Sequence, residues 1–400
     1  MDIKITDPQE IHDALDPWVL PHVETPARYI GGEINSVRKD PDSVDVRIAL
    51  LFPDVYEIGM SHLGYQILYS MVNDLDWAAA ERAYAVWPDM DEAMRERGIP
   101  LYALESFRPV REFDVIGFSL QYEMLCTNIL GMLDLAGIPV KRTERGEDDP
   151  LVIAGGPGCA NPEPMGDFID LFLVGDGEAA LVPFLELVRR GRAEGWSRER
   201  IIREAGCRVP GAYAPGLYEV EYNEDGTVAS IEPNCEEAAA AVRAVKVEEA
   251  AGQPFPESPV LPFIEPVHDR VALEIMRGCT RGCRFCQAGM LRRPVRARSV
   301  EELVKVAQQG LEATGYGEVA LTSLSSSDHP EFRRLLEEMS AMATPLGVKL
   351  SLSSLRITDQ LEVLPEIIGE VRKSGLTVAP EAGTERLRRV INKQVTNEEL

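Results

Sequence analysis

Val46-Arg47-Ile48-Ala49-Leu50-Leu51-Phe52 is an almost unbroken apolar run that ends in Pro53-Asp54. It lacks polar–apolar alternation, so the spacing predicts a strand covered on both faces, as in a parallel sheet flanked by helices. Asp114–Leu120, Leu151–Ala154 and Leu171–Val174 repeat the form. Helical stretches fall at about Ser61–Asn73, Glu123–Ala136 and Glu178–Arg190. Strand and helix in turn predict an α/β fold, with a doubly wound parallel sheet over residues 46–199. Gly155, Gly156, Gly175 and Gly177 follow the later strands, at the ends where such sheets receive ligands.

Residues 1–45 read as a short helical lead-in broken by Pro and Gly. Residues 200–265 read as a small β element and a linker, with a hairpin around Glu224-Asp225-Gly226. A second alternation starts at Val271. Strands are expected at Val271–Met276, Glu318–Leu321, Val348–Leu352 and Leu376–Ala379. Helices are expected at about Ser299–Thr314, Pro330–Ala343 and Asp359–Ser374. About four βα units in series predict a partial, incomplete TIM-type barrel over residues 266–400. Thr396-Asn397-Glu398-Glu399 has the form of a helix-opening capping box, yet Leu400 follows at once. A chain truncated at its C-terminus, with a tail mobile after about Asn392, is the expectation.

The net charge of −25 is uneven. Residues 266–400 hold 19 Lys and Arg against 18 Asp and Glu, so the excess acid lies before them. An acidic front half argues against loose binding of nucleic acid, which needs basic surface. The first 30 residues lack a basic start followed by an apolar run, and no stretch of 18 apolar residues occurs. A cytoplasmic location without membrane attachment is therefore expected.

Three of the seven cysteines, Cys279, Cys283 and Cys286, crowd into one short segment. Cys126, Cys159, Cys207 and Cys235 are scattered and read as small apolar side chains. Thiolates at i, i+4 and i+7 can wrap three irons of one [4Fe–4S] cubane from a single loop. Such clusters usually take four cysteines. Here no fourth is local, which leaves one iron open to a ligand. Two other readings compete. A structural zinc site wants four donors and would need His268 from the far end of the preceding strand. A plain electron-transfer cluster wants a fourth cysteine. The segment is also basic: Arg277, Arg281, Arg284, Arg292, Arg293, Arg296 and Arg298 occur with no acid between Ile275 and Val300. Those guanidiniums either face anionic ligands or lie on a solvated surface.

The C-x3-C-x2-C spacing, with Phe285 before the last cysteine, resembles the radical S-adenosylmethionine (SAM) superfamily. The resemblance implies that the open iron chelates the amino and carboxylate groups of SAM. One electron would then break a carbon–sulfur bond, and the resulting 5′-deoxyadenosyl radical would abstract hydrogen. It also implies a low-potential electron donor of flavodoxin or ferredoxin type. By the same resemblance, polar groups at the later strand ends meet SAM; Ser323, Ser353, Arg356 and Glu381 stand at those places. The residues carrying the chemistry on substrate are not indicated.

Asp54-Val55-Tyr56-Glu57-Ile58-Gly59 resembles the D-x-H-x-x-G loop of cobalamin-binding domains, with Tyr56 in the histidine's place. Ser119-Leu120 resembles their Ser-x-Leu region, and Gly155, Gly156, Gly175 and Gly177 their glycine-bearing strand ends. Without the histidine, the domain either binds cobalamin with no protein imidazole or has lost it. His62 is nearby but falls in a helical pattern and reads as structural. Residues 46–400 together resemble cobalamin-domain radical SAM proteins, in particular an uncharacterised bacterial family. The phrases SLSSSDHP (323–330) and VAPEAGTERLRRVINK (378–393) carry that likeness. It implies a cobalamin-dependent methyltransferase of undefined substrate. The alternatives are a radical enzyme modifying RNA or protein, with a front domain that does not use cobalamin, and an iron–sulfur electron carrier or redox sensor.

Overall fold

The computed structural model describes residues 3–250, 252–355 and 379–400. The chain forms two compact units: Met1–Val247 with Val260–Val267, and Glu248–Pro259 with His268–Leu400.

Among the described residues, the first unit is built on a six-stranded sheet. Its strands are β1 (Val46–Phe52), β2 (Ala78–Tyr84), β3 (Val115–Ser119), β4 (Leu151–Gly155), β5 (Leu171–Leu173) and β6 (Ala212–Tyr213). The spatial order is β2-β1-β3-β4-β5-β6, parallel except for β6 at the edge. The expected α/β class holds. β1 is buried at every position but Arg47, which is why its sequence does not alternate. The order reverses between β1 and β3, and ligands of open α/β sheets sit at such a switch point. Helices α1 (Pro8–Trp18), α2 (Tyr56–Met60), α3 (Leu63–Asn73), α4 (Pro88–Arg97), α5 (Cys126–Leu135), α6 (Gly177–Ala193) and α7 (Arg198–Arg208) complete the unit. The expected hairpin forms from β7 (Tyr218–Tyr222) and β8 (Val228–Pro233).

Sequence reading missed β2. Its Ala-Ala-Ala-Glu-Arg-Ala-Tyr has no β-branched residue and two charges, yet all seven positions are buried. Pairing with β1 and a polar network account for it. The Arg82 guanidinium donates to Glu33 Oε2 at 2.9 Å and Glu105 Oε1 at 2.5 Å, and all three side chains are at most 2% exposed. Its third nitrogen reaches Met60 Sδ at 3.1 Å. The Glu105 carboxylate also accepts the Arg82 backbone N–H at 2.7 Å, satisfying the edge of β2. Burial opposes the Arg82 charge, but the two carboxylates hold its pKa well above the ordinary value.

The second unit carries a parallel sheet of three described strands, ordered β13-β12-β9. They are β9 (Val271–Glu274), β12 (Glu318–Thr322) and β13 (Lys349–Leu352). Helices α9 (Val300–Thr314) and α10 (Phe332–Leu346) pack with them. Their apolar faces, such as Leu303, Ala307 and Leu311 or Leu335, Leu336 and Met339, follow helical spacing. The strand expected at Leu376–Ala379 and the helix at Asp359–Ser374 fall on or against residues 356–378 and lie outside the described residues. A short antiparallel pair, β10 (Met276–Arg277) with β11 (Arg296–Ala297), closes the base of the cysteine excursion, which contains α8 (Gln287–Leu291).

The tail differs from expectation. After α11 (Glu385–Val390) the chain folds back around Arg388, which is 1% exposed. Arg388 donates to Val395 O at 2.7 Å, to Ala382 O at 3.1 Å and to Asn397 Oδ1. One guanidinium thus ties residues on both sides of its helix, so the segment beyond Asn392 has tertiary support. The capping box forms: Thr396 N–H donates to Glu399 Oε2 at 2.6 Å, and Glu399 N–H to Thr396 Oγ1 at 3.2 Å.

Removing Arg82 strands two buried carboxylates. Arg82→Ala should cost the first unit about 3–5 kcal/mol. Urea unfolding measures this, and a loss within error of zero would show the network to be dispensable.

Candidate functional site

The cysteine loop leaves the sheet at β9 and is pinned where β10 meets β11. Gly278 lies just inside the pin with φ +90°, and a Cβ there would stand 2.6 Å from Pro294 O and 2.7 Å from Arg292 O. The two legs pass in backbone contact, so only glycine fits. Cys286 caps α8: its Sγ accepts the Gly289 N–H at 3.3 Å, and its own N–H donates to Cys283 O at 3.1 Å. All three thiols are half-buried and unlinked. An N–H aimed at sulfur suits a thiolate ligand.

Among the described residues, no three His, Cys, Asp or Glu side chains gather closely enough to hold a single metal ion. Zinc would need four donors about one point. In a cubane each thiolate meets its own iron, so the donors stand round the cluster rather than converge. His268 precedes β9, its ring Nδ1 2.9 Å from an Arg270 guanidinium nitrogen.

Much of the basic run is engaged within the unit. Arg277 grips Glu274 at 2.7 Å, and Arg298 pairs with Glu302 at 2.5 Å. Arg296 donates to the carbonyls of Pro294 and Arg292, and Arg293 to Cys279 O at 3.3 Å. Arg281, between two cysteines, makes a two-pronged pair with Asp328, its Nε at 2.8 Å from Oδ2. Asp328 also accepts from Ser325 Oγ at 2.7 Å. The hydrogen bonds to Asp328 raise the Arg281 pKa, and the neighbouring thiols of Cys279 and Cys283 add to this. This tie from the cysteine loop to the end of β12 joins residues 47 apart, beyond the reach of local sequence patterns. Its signal was Asp328, the one acid in SLSSSDHP.

The SAM candidates are not gathered equally. Ser323 follows β12; its Oγ is 3.0 Å from Ser326 Oγ and accepts the Ser325 N–H at 3.1 Å. Ser353 follows β13 and donates to Leu321 O at 3.0 Å. Glu381 has φ +67° and lies 3.4 Å from Lys393 Nζ. Arg356 lies outside the described residues.

In the first unit, Tyr56 opens α2 and is 1% exposed. Its hydroxyl donates to Glu33 Oε1 at 3.0 Å, and burial pushes its pKa far up. The residue in the histidine's place is therefore a neutral phenol within the Arg82 network. Ser119 and Gly155 are half-buried at the ends of β3 and β4. Gly156 (φ +109°) packs on Leu120 O, 2.5 Å from where a Cβ would be. Gly175 (φ +123°) packs on Val245 O at 2.0 Å on the same measure. Gly177 meets Leu68. These three glycines accommodate this chain's own atoms. His62 caps α3 rather than lying inside it, its Nδ1 accepting the Tyr65 N–H at 3.1 Å. At the switch point, Tyr122 donates to Asp54 Oδ2 at 3.1 Å.

Residues 64–215 match the family of radical SAM proteins, N-terminal, and residues 273–400 match the radical SAM superfamily. The chain belongs to the radical SAM superfamily. It is 26% identical over 355 residues to the uncharacterised protein MJ0966 of Methanocaldococcus jannaschii, covering 88% of this chain and 64% of the relative. Over 106 residues it is 36% identical to the threonylcarbamoyladenosine tRNA methylthiotransferase MtaB of Bacillus subtilis, covering 24% of this chain and 23% of that one. Among solved structures, the radical SAM methyltransferase TsrM of Kitasatospora setae, with cobalamin and [4Fe–4S] cluster bound, matches with a TM-score of 0.53 at 13% identity. That match covers 88% of this chain and 62% of TsrM. TsrM with tryptophan and a SAM analogue bound matches with a TM-score of 0.51. The chain thus spans under two thirds of MJ0966 and of TsrM. Radical SAM enzymes need a reductant, and no helix among the described residues is long and apolar enough to cross a membrane.

Arg388 organises the segment that follows α11. Arg388→Ala should raise amide hydrogen exchange over residues 391–399 by at least about tenfold, the effect of losing a buried multiply bonded cation. Unchanged protection would show that the backbone turn holds the tail unaided.

Proposed function

We propose that this protein is a radical SAM enzyme whose Cys279, Cys283 and Cys286 hold a [4Fe–4S] cluster. The observation that carries the reading is a three-cysteine loop with no fourth cysteine of its own, set at the carboxyl end of a parallel βα strand. When bound, the cluster supplies the one-electron cleavage of SAM. The chain's residues bind and orient. The Gly289 N–H holds the Cys286 sulfur, and Arg281 on Asp328 fixes the loop against β12. Ser323 and Ser353 present hydroxyls at neighbouring strand ends, where the polar groups of SAM would be met. Arg356 and Glu381 are further candidates from the sequence. A low-potential flavodoxin or ferredoxin would deliver the electron, and the cytoplasm is the compartment proposed.

The favoured reaction class is methyl transfer with cobalamin. Support comes from the likeness to TsrM over most of the chain and from the β1/β3 switch point. The groups expected to take cobalamin do not all fit: residue 56 is a sealed phenol, and Gly156, Gly175 and Gly177 are filled from within. Cobalamin would then lie at the switch point, near Ser119 and Gly155, with no protein ligand from position 56. A second reading, modification of RNA, rests on the local likeness to the tRNA-modifying MtaB. The acidic front half limits it to a confined basic cleft.

Anaerobically reconstituted protein should hold one [4Fe–4S] cluster per chain. Cys283→Ala should lose both the iron and the release of 5′-deoxyadenosine, while Cys126→Ala, Cys207→Ala and Cys235→Ala keep their iron. Continued 5′-deoxyadenosine release by Cys283→Ala would overturn the assignment.

The absorption spectrum of protein loaded with cobalamin should show no histidine ligation, and Tyr56→Phe should leave it unchanged. A spectral shift in Tyr56→Phe would mean that the phenol is not sealed.

A further inference from the structure

The cysteine loop has few hydrogen bonds of its own, and the end of α11 supplies several. Asn392 Nδ2 donates to Gly282 O at 2.9 Å and to Arg281 O at 3.2 Å. Beside it, the Arg284 N–H donates to Ile391 O at 3.0 Å. These bonds span the middle of the loop, between the first and second cysteines and just past the second. Gly282 is in the left-handed region at φ +68°, and a Cβ there would lie 3.6 Å from Asn392 Nδ2.

Asn392 is itself left-handed, at φ +58°. Its N–H donates to Arg389 O at 3.0 Å and the Lys393 N–H to Arg388 O at 2.8 Å. This is the two-bond helix ending whose left-handed position is normally glycine. An asparagine there tolerates the backbone but gives up glycine's ease. What its side chain adds is the grip on two carbonyls of the cysteine loop.

Resting on the radical SAM reading above, we propose that Asn392 is a positioning residue: its side-chain amide clasps Arg281 and Gly282 so that Cys279 and Cys283 are presented together to the cluster. The grip acts on the backbone between the two ligands. It fixes their separation without touching sulfur.

Asn392→Gly tests this cleanly. Glycine suits the left-handed backbone, so the helix ending survives and the thermal midpoint should be equal to or above wild type. Only the clasp is lost. With reconstituted full-length protein, an iron chelator should extract iron from Asn392→Gly about tenfold faster than from wild type, the factor expected for two hydrogen bonds. The electron paramagnetic resonance signal of the dithionite-reduced cluster should broaden or shift. Asn392→Asp, with an oxygen in place of the donor, should lose iron at least as fast. Arg389→Ala, on the exposed side of the same helix, should match wild type.

Wild-type extraction rate and spectrum in Asn392→Gly would overturn the proposal while leaving the cluster assignment standing. So would faster extraction accompanied by a lowered melting point, which would show the residue to be only a helix cap. A wild-type protein that takes up no cluster, like Cys283→Ala, would overturn the underlying reading and the proposal with it.

Discussion

Cys279, Cys283 and Cys286 lie within eight positions on a stretch of chain that is neither helix nor strand. Gly278 and Gly282, both at positive φ, interrupt any regular ladder there, so order must come from outside. The structure supplies it from three sides. The β10–β11 pair closes the base, the Arg281–Asp328 pair ties the loop to the end of β12, and Asn392 with Ile391 holds its middle. The partners come from three separate segments, so the site exists only when the unit around it is folded.

The first unit poses a different problem. Its edge strand β2 carries Glu81 and Arg82 into a region where charge is costly. Arg82 is accommodated because Glu33 and Glu105 both reach it, one from the lead-in and one from the loop after α4. The same network takes up Tyr56. A phenol bonded to Glu33 and 1% exposed belongs to the core. The sheet has a switch point between β1 and β3, where open α/β sheets receive ligands, while Tyr56 serves the core.

The basic run beside the cysteines shows how composition misleads. Read along the chain it is an uncompensated positive patch. In space Glu274, Asp328 and Glu302 each take one guanidinium, and backbone carbonyls take others. Asp328 lies 47 residues beyond Arg281, so no local window reveals the pair.

Sequence alone determined the parallel sheets, because strands covered on both faces must be apolar throughout. The crowding of three cysteines into one loop was legible as well, since spacing within one loop is covalent. The hairpin at Asp225-Gly226 and the capping box at Thr396 were also legible, being short-range chemistry. Only tertiary structure decided β2, because its alanines carry no strand signal until β1 pairs with them. It alone decided that Tyr56 is sealed, that Gly175 is filled by Val245, and that the tail is tied through Arg388. It also decided that Asn392, 110 residues away, closes on Gly282. The division has one physical origin: periodicity and covalent spacing act between near neighbours, while ion pairs and close backbone contacts join residues that meet only once the chain has folded.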